Sequence, residues 1–138
     1  MDYKTTLSSL YFLLVHADGH VNEKELVRGK QMMKAEEIDE IKFNALMEKL
    51  KLQDQNSIYS DCAKAIKRFD IKSQIKCIAW LCVVANADGF MDKKEWILIY
   101  KIYQTELNLQ LDDIMKMQKD LNKIIHGKEF HSLGVKMY

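Results

Sequence analysis

Two acids recur in one setting. Asp18 and Glu25 stand in HADGHVNEKEL, residues 16–26, and Asp88 and Glu95 stand in NADGFMDKKEW, residues 86–96, seventy positions later. Carboxylates and side-chain amides so spaced are the hard oxygen donors that divalent cations take. The order Asp, Gly, an apolar residue two further on and a Glu six after the Gly also matches the second half of a calcium-binding EF-hand loop. The first half is missing: Leu14 and Val84 occupy the place of the leading carboxylate, and His16 and Asn86 hold the third position. A working EF-hand is therefore not expected. The second copy, with Asn86, Asp88, Asp92 and Glu95, is the richer in oxygen donors. His16, Asp18 and His20 make an alternative trio of zinc-type ligands, but Asn86 and Phe90 stand at the matching places of the second copy.

The same residues have a mechanical reading. Gly19 and Gly89 suit the left-handed residue that ends a helix, with Val21 and Met91 as the accompanying apolar contact. Asn22 and Asp92 are N-caps for the next helix, and Glu25 and Glu95 stand three residues later, where a capping-box carboxylate reaches back. This account leaves Asp18 and Asp88 over. Each is expected at the carboxyl end of a helix, where the macrodipole disfavours an acid, and each follows an aliphatic residue, Leu14 or Val84, by four positions. Such an acid needs a partner: loop N–H groups in an Asx-type turn, or a cation.

Helices must position these corners. With no proline and five glycines in 138 residues, the chain is expected to be all-α. Apolar residues at helical spacing predict helices over about Tyr3–Asp18, Asn22–Glu36 and Asp39–Lys51, with a shorter fourth in DQNSIYSDCAKAIKRFD. The pattern restarts with a strongly apolar fifth helix ending at the second Asp-Gly, a sixth over about Asp92–Leu107 and a seventh over about Leu111–Ile125. The expectation is one domain, residues 1–138, of about seven helices: two related three-helix units, about 3–51 and 73–125, joined by a linking helix. The tail HGKEFHSLGVKMY is expected to be a short helical turn and a frayed end.

Bulk composition narrows the function classes. Hydrophobic residues make up 48% and charged residues 30%, as in ordinary globular domains, and a chain of this length buries roughly 68% of its unfolded surface. A net charge of +1 argues against a dedicated nucleic-acid binder. The longest apolar run, Cys77–Ala85, is far short of the roughly 20 residues of a membrane span, and the amino terminus is a poor signal peptide. Cys62, Cys77 and Cys82 form no Cys-x-x-Cys pair, fit a reducing cytoplasm and read as buried, inert thiols. Lys64, Arg68, Lys72 and Lys76 would make a basic stripe if the fourth helix ran into the fifth. Tyr11, Trp80, Trp96, Tyr100 and Tyr103 fall mostly on apolar faces and read as core. No nucleophile with a base at readable spacing, no Gly-rich phosphate loop and no His-Glu-x-x-His is present, so no enzyme is expected.

The tandem HADGHVNEKEL and NADGFMDKKEW on helix corners, over about Tyr3–Ile125, resemble the TerB-like family of all-helical tellurite-resistance proteins and the related amino-terminal domain of the DjlA co-chaperones. The resemblance implies an acidic, metal-binding cluster of Asp18, Glu25, Asp88 and Glu95 and a divalent ion of unspecified identity; the motif residues His16, Asn22, Asn86 and Asp92 are candidate additional ligands by their own donor chemistry. DjlA-type proteins add a membrane segment and a J-domain with its His-Pro-Asp motif. A chain without proline is not expected to stimulate Hsp70. The expected function is a non-enzymatic module, monomer or weak dimer, binding a partner protein, a metal ion or both in a stress or tellurite response, without nucleic acid or membrane insertion. The alternative is a scaffold whose Asp-Gly corners are only structural.

Overall fold

The computed structural model describes residues 1–87 and 89–132. Every regular element among them is helical: α1 (Tyr3–Val15), α2 (Glu23–Ala35), α3 (Glu40–Lys51), α4 (Gln55–Ile66), α5 (Ile71–Ala85), α6 (Lys93–Tyr100), which runs on as a π-helical turn (Lys101–Glu106), and α7 (Leu111–Ser132). The all-α single domain anticipated from periodicity is the observed architecture.

Short polar side chains start these helices. Asp2, Asn22, Asp39, Asp54, Asp70 and Asp92 cap α1 to α6 in turn, each accepting a first-turn backbone N–H. Each cap satisfies a donor that the helix itself leaves unpaired, an interaction of about 1 kcal/mol. The bonds from Thr5 and Ser73 hold the Asp2 and Asp70 carboxyls below the usual carboxylate range.

Two helices occupy the centre. α1 is buried continuously from Thr6 to Val15 and α5 from Cys77 to Ala85, the signature of helices enclosed on every side rather than along one stripe. α5 packs on α7, α1, α2 and α6, while α1 also meets α3 and α4. Leu7, Leu10, Leu14, Trp80, Leu81 and Val84 are exposed by no more than 1%. No helix among the described residues is long and apolar enough to cross a membrane.

Several expectations are corrected. α1 stops at Val15, three residues before Asp18, because Ala17 N–H turns back to Leu14 O at 3.2 Å. α7 continues past Ile125 to Ser132, so the turn expected there is helix, and residues 133–138 lie outside the described part. α4 ends at Ile66 and α5 begins at Ile71, so Lys64, Arg68, Lys72 and Lys76 do not form one helical stripe. Trp96 and Tyr100 are 38% and 46% exposed, not core, whereas Tyr11, Trp80 and Tyr103 are buried.

The π turn was not anticipated and has a local cause. α6 begins seventy residues after α2, but α7 begins seventy-one after α3. The left-handed residues that follow α2 and the π turn, Glu37 and Asn108, both at φ 55°, are also seventy-one apart. The extra residue is taken up within the helix, where Leu107 N–H reaches five residues back to Ile102 O at 3.1 Å, the bonding pattern of a π bulge.

Candidate functional site at the paired corners

Among their described residues the two corners share much of their local bonding. Gly19 and Gly89 take φ of 82° and 81°, a conformation open to glycine and strained for other residues. Gly19 N–H donates to His16 O at 3.2 Å and Gly89 N–H to Asn86 O at 2.9 Å. The preceding residues also act alike: His16 Nδ1 lies 2.8 Å from Phe12 O, and Asn86 Nδ2 donates to Cys82 O at 3.0 Å. Asn22 and Asp92 each accept a backbone N–H, from Lys24 and Lys94, at 2.8 Å. In the second corner the capping box is complete, with Asp92 N–H donating to Glu95 Oε1 at 3.1 Å. The apolar contacts differ: Met91 packs on the core, while Val21 is 46% exposed.

Asp18 is half-buried in the turn, and its Oδ1 accepts His20 N–H at 2.9 Å, an Asx turn. Glu25 and Glu95 are deeply placed, 6% and 3% exposed. Glu25 lies close enough to Tyr11 for its charge to add to the effect of burial, which pushes the Tyr11 hydroxyl up to about 12. Asp88 lies outside the described residues. Among the described residues no three His, Cys, Asp or Glu side chains gather closely enough to hold a metal ion. Asp18, Glu25 and Glu95 therefore do not make a coordination site by themselves, and no step through a metal follows from them.

The zinc trio of His16, Asp18 and His20 does not form. The His16 ring lies on Phe12, centroids 4.3 Å apart, with Nδ1 turned to the Phe12 carbonyl. The EF-hand analogy fails for a physical reason as well: Leu14 and Val84, where the leading ligand would stand, are fully buried in the core. Cys62, Cys77 and Cys82 are buried, and burial pushes Cys62 and Cys82 up to about 12 and raises Cys77 further, as expected of inert thiols.

A second pair of matched acids escaped sequence reasoning. Glu36, with its side chain 9% exposed, receives the Tyr3 hydroxyl and Trp80 Nε1, each at 2.7 Å, and Lys76 Nζ at 3.1 Å. It fastens the end of α2 to α1 and α5. Glu106, seventy residues on, receives the Tyr59 hydroxyl at 2.9 Å and Lys67 Nζ at 3.1 Å, fastening the π turn to α4. These bonds, Lys67 first and then Tyr59, hold the Glu106 carboxyl below its ordinary value, and burial with the neighbouring Glu106 raises the Tyr59 hydroxyl. The signal in the sequence was the same as for Asp18 and Asp88: an acid at a helix end, twice, where the dipole opposes it.

Phe90, Trp96, Ile97 and Tyr100, in and just beyond the second corner, are 69%, 38%, 52% and 46% exposed. The rings of Trp96, Tyr100 and Tyr103 are in mutual contact, with centroids 5.5–6.1 Å apart. No curated protein and no solved structure matches the chain. The family model described as tellurite resistance protein TerB matches residues 4–118, a span that contains both corners, the whole of α2 to α6 and all but the first residue of α1, and the chain accordingly belongs to the TerB family.

Proposed function

We propose that this chain is a non-enzymatic TerB module of the cytoplasm that holds a partner protein, with the acids of its corners available to a divalent cation, in a stress or tellurite response. The burial of Glu25 and Glu95, at the same place in both corners, carries the reading. A carboxylate withdrawn from water needs donors or positive charge around it. The helix N-terminus supplies part of this, and a cation held with Asp18 and Asp88 would supply more. The exposed apolar strip of Phe90, Trp96, Ile97 and Tyr100 beside the second corner is the kind of surface that marks a protein contact.

A purely mechanical corner is the second reading. It is favoured by the Asx turn at Asp18 and the capping box at Asp92 and Glu95, which give these acids work without a metal. Thermal melts separate the two. Asparagine keeps the shape of aspartate without its charge, so Asp18→Asn combined with Asp88→Asn should fold normally in chelator. A cation site predicts that the wild type gains melting temperature with calcium, magnesium, manganese or zinc by mass action and that the double variant loses that gain. Identical melting of both proteins in every metal and in chelator leaves the corners mechanical and the cation reading refuted.

A further inference from the structure

Behind the first corner, α1, α2 and α3 leave a cleft of about 350 Å³, within the range of small-molecule sites. Its base is Tyr11, Phe12 and Val15 of α1, all buried, with Gly29 of α2 against the Tyr11 ring. Leu26 and Met33 form one wall, and Phe43 and Met47 of α3 form the other. The two methionines are side chains that adjust readily to an apolar guest. At the matching positions the second half of the molecule carries larger side chains. Seventy residues after Leu26, Gly29, Lys30 and Met33 stand Trp96, Ile99, Tyr100 and Tyr103, three of them packed ring against ring. Side chains so different at matching places are a choice of residue, not a requirement of the fold.

Charge is unevenly spread along this cleft. Glu40 is the first residue of α3 and Lys51 the last, which places them at opposite ends, roughly 16 Å apart along the helix. Lys51 and His16 line the end near the first corner, and Lys30 lies on the α2 side. Lys51 also meets Glu48 at 3.0 Å, but that pair is solvent-exposed on both sides and is weak enough to be exchanged. We propose that the cleft binds a single-chain carboxylate, its alkyl tail running between the methionine walls toward Phe43 and its head at the Lys51 end. An amphipathic helix from a protein fits less well, because a single turn of it, about 10 Å across and 5.4 Å long, already has a larger volume than the cleft, at about 350 Å³.

The test uses the full chain, titrated with decanoate, decan-1-ol and decylamine below their micelle concentrations and followed by backbone amide shifts. Decanoate should bind about fivefold more tightly than decan-1-ol, the size of effect expected of an exposed ion pair, and decylamine more weakly than either. Shifts should centre on Tyr11, Gly29, Met33, Phe43 and Met47. Lys30→Gln with Lys51→Gln, both at the surface, should remove the preference for decanoate and leave decan-1-ol affinity unchanged. Leu26→Trp, Lys30→Tyr and Met33→Tyr together, which install the residues of the second half, should abolish binding of all three. The proposal is overturned if decanoate binds no better than decan-1-ol, if the shifts lie elsewhere, or if an acidic amphipathic peptide occupies the cleft while decanoate does not.

Discussion

Seventy residues after Tyr11 and Gly29 stand Leu81 and Ile99. In the first half a large ring on α1 lies against a residue of α2 that has no side chain, and a Cβ built at Gly29 falls on the Tyr11 ring. In the second half two medium aliphatic residues, both fully buried, divide the same space. The corners that join these helices differ far less: the glycines agree to 1° in φ, and the caps agree in distance. Few backbone arrangements end one helix and start another within seven residues, so the corner admits little variation. A wall between helices has many solutions of equal volume, and the two halves have taken different ones. That freedom is what leaves a cleft on one side and an aromatic cluster on the other.

The largest test of this contrast lies at the paired acids Glu36 and Glu106, which end α2 and the π turn at the side away from the corners. Glu36→Leu leaves three buried or half-buried donors without their acceptor and should destabilise by about 3 kcal/mol. Glu106→Leu, whose side chain is 20% exposed and whose lysine partner is half in water, should cost about 1 kcal/mol. Urea denaturation of both variants measures the difference, and equal losses would mean that the two fastenings are equivalent after all.

Next in size is the Tyr11–Gly29 contact. Gly29→Ala should destabilise by about 2 kcal/mol through overpacking, and Tyr11→Leu should recover part of that loss, since it moves toward the solution used by Leu81 and Ile99. A double-mutant cycle with no coupling would show that the ring does not press on Gly29. Smaller still, Gly19→Ala and Gly89→Ala should each cost about 1 kcal/mol. Both positions open onto free space, so the strain is of φ alone and the two losses should agree; clearly unequal losses would show that the corners differ in more than their surroundings.

The smallest expected effect is one of pH. The folded Glu106 carboxyl is held below its ordinary 4.5. The stability it contributes is therefore present above that value and lost as pH falls through the lower folded value. Glu106→Gln should flatten the fall in melting temperature below about pH 4.5. An unchanged slope would place the acid sensitivity elsewhere.

What the sequence made legible was local. Helix starts follow from an Asp or Asn side chain reaching an N–H two or three residues on, and the corners follow from one glycine and one cap, so both could be placed before any tertiary contact was known. The stripe through Lys64, Arg68, Lys72 and Lys76 failed because periodicity alone does not see the turn between Ile66 and Ile71. The partners of Glu36 lie 33, 40 and 44 residues away, distances over which spacing carries no information. Trp96 and Tyr100 were misplaced for a similar reason: an aromatic at helical spacing predicts a face, and only the packing of α6 against its neighbours decides how much of that face is covered. The convergence of Asp18, Glu25, Asp88 and Glu95 is a tertiary question of the same kind, which the metal titration addresses directly.

The three thiols bear on how the folded chain meets oxidants. Oxidants and electrophilic oxyanions take electrons from thiolates, not from thiols. Cys62, Cys77 and Cys82 are enclosed between the central helices, and burial keeps all three protonated at neutral pH. The chain is therefore a poor electron donor to such agents while folded, and its core remains chemically intact where exposed cysteines would be consumed. Loss of thiol titre then becomes a readout of unfolding rather than of attack on the native molecule.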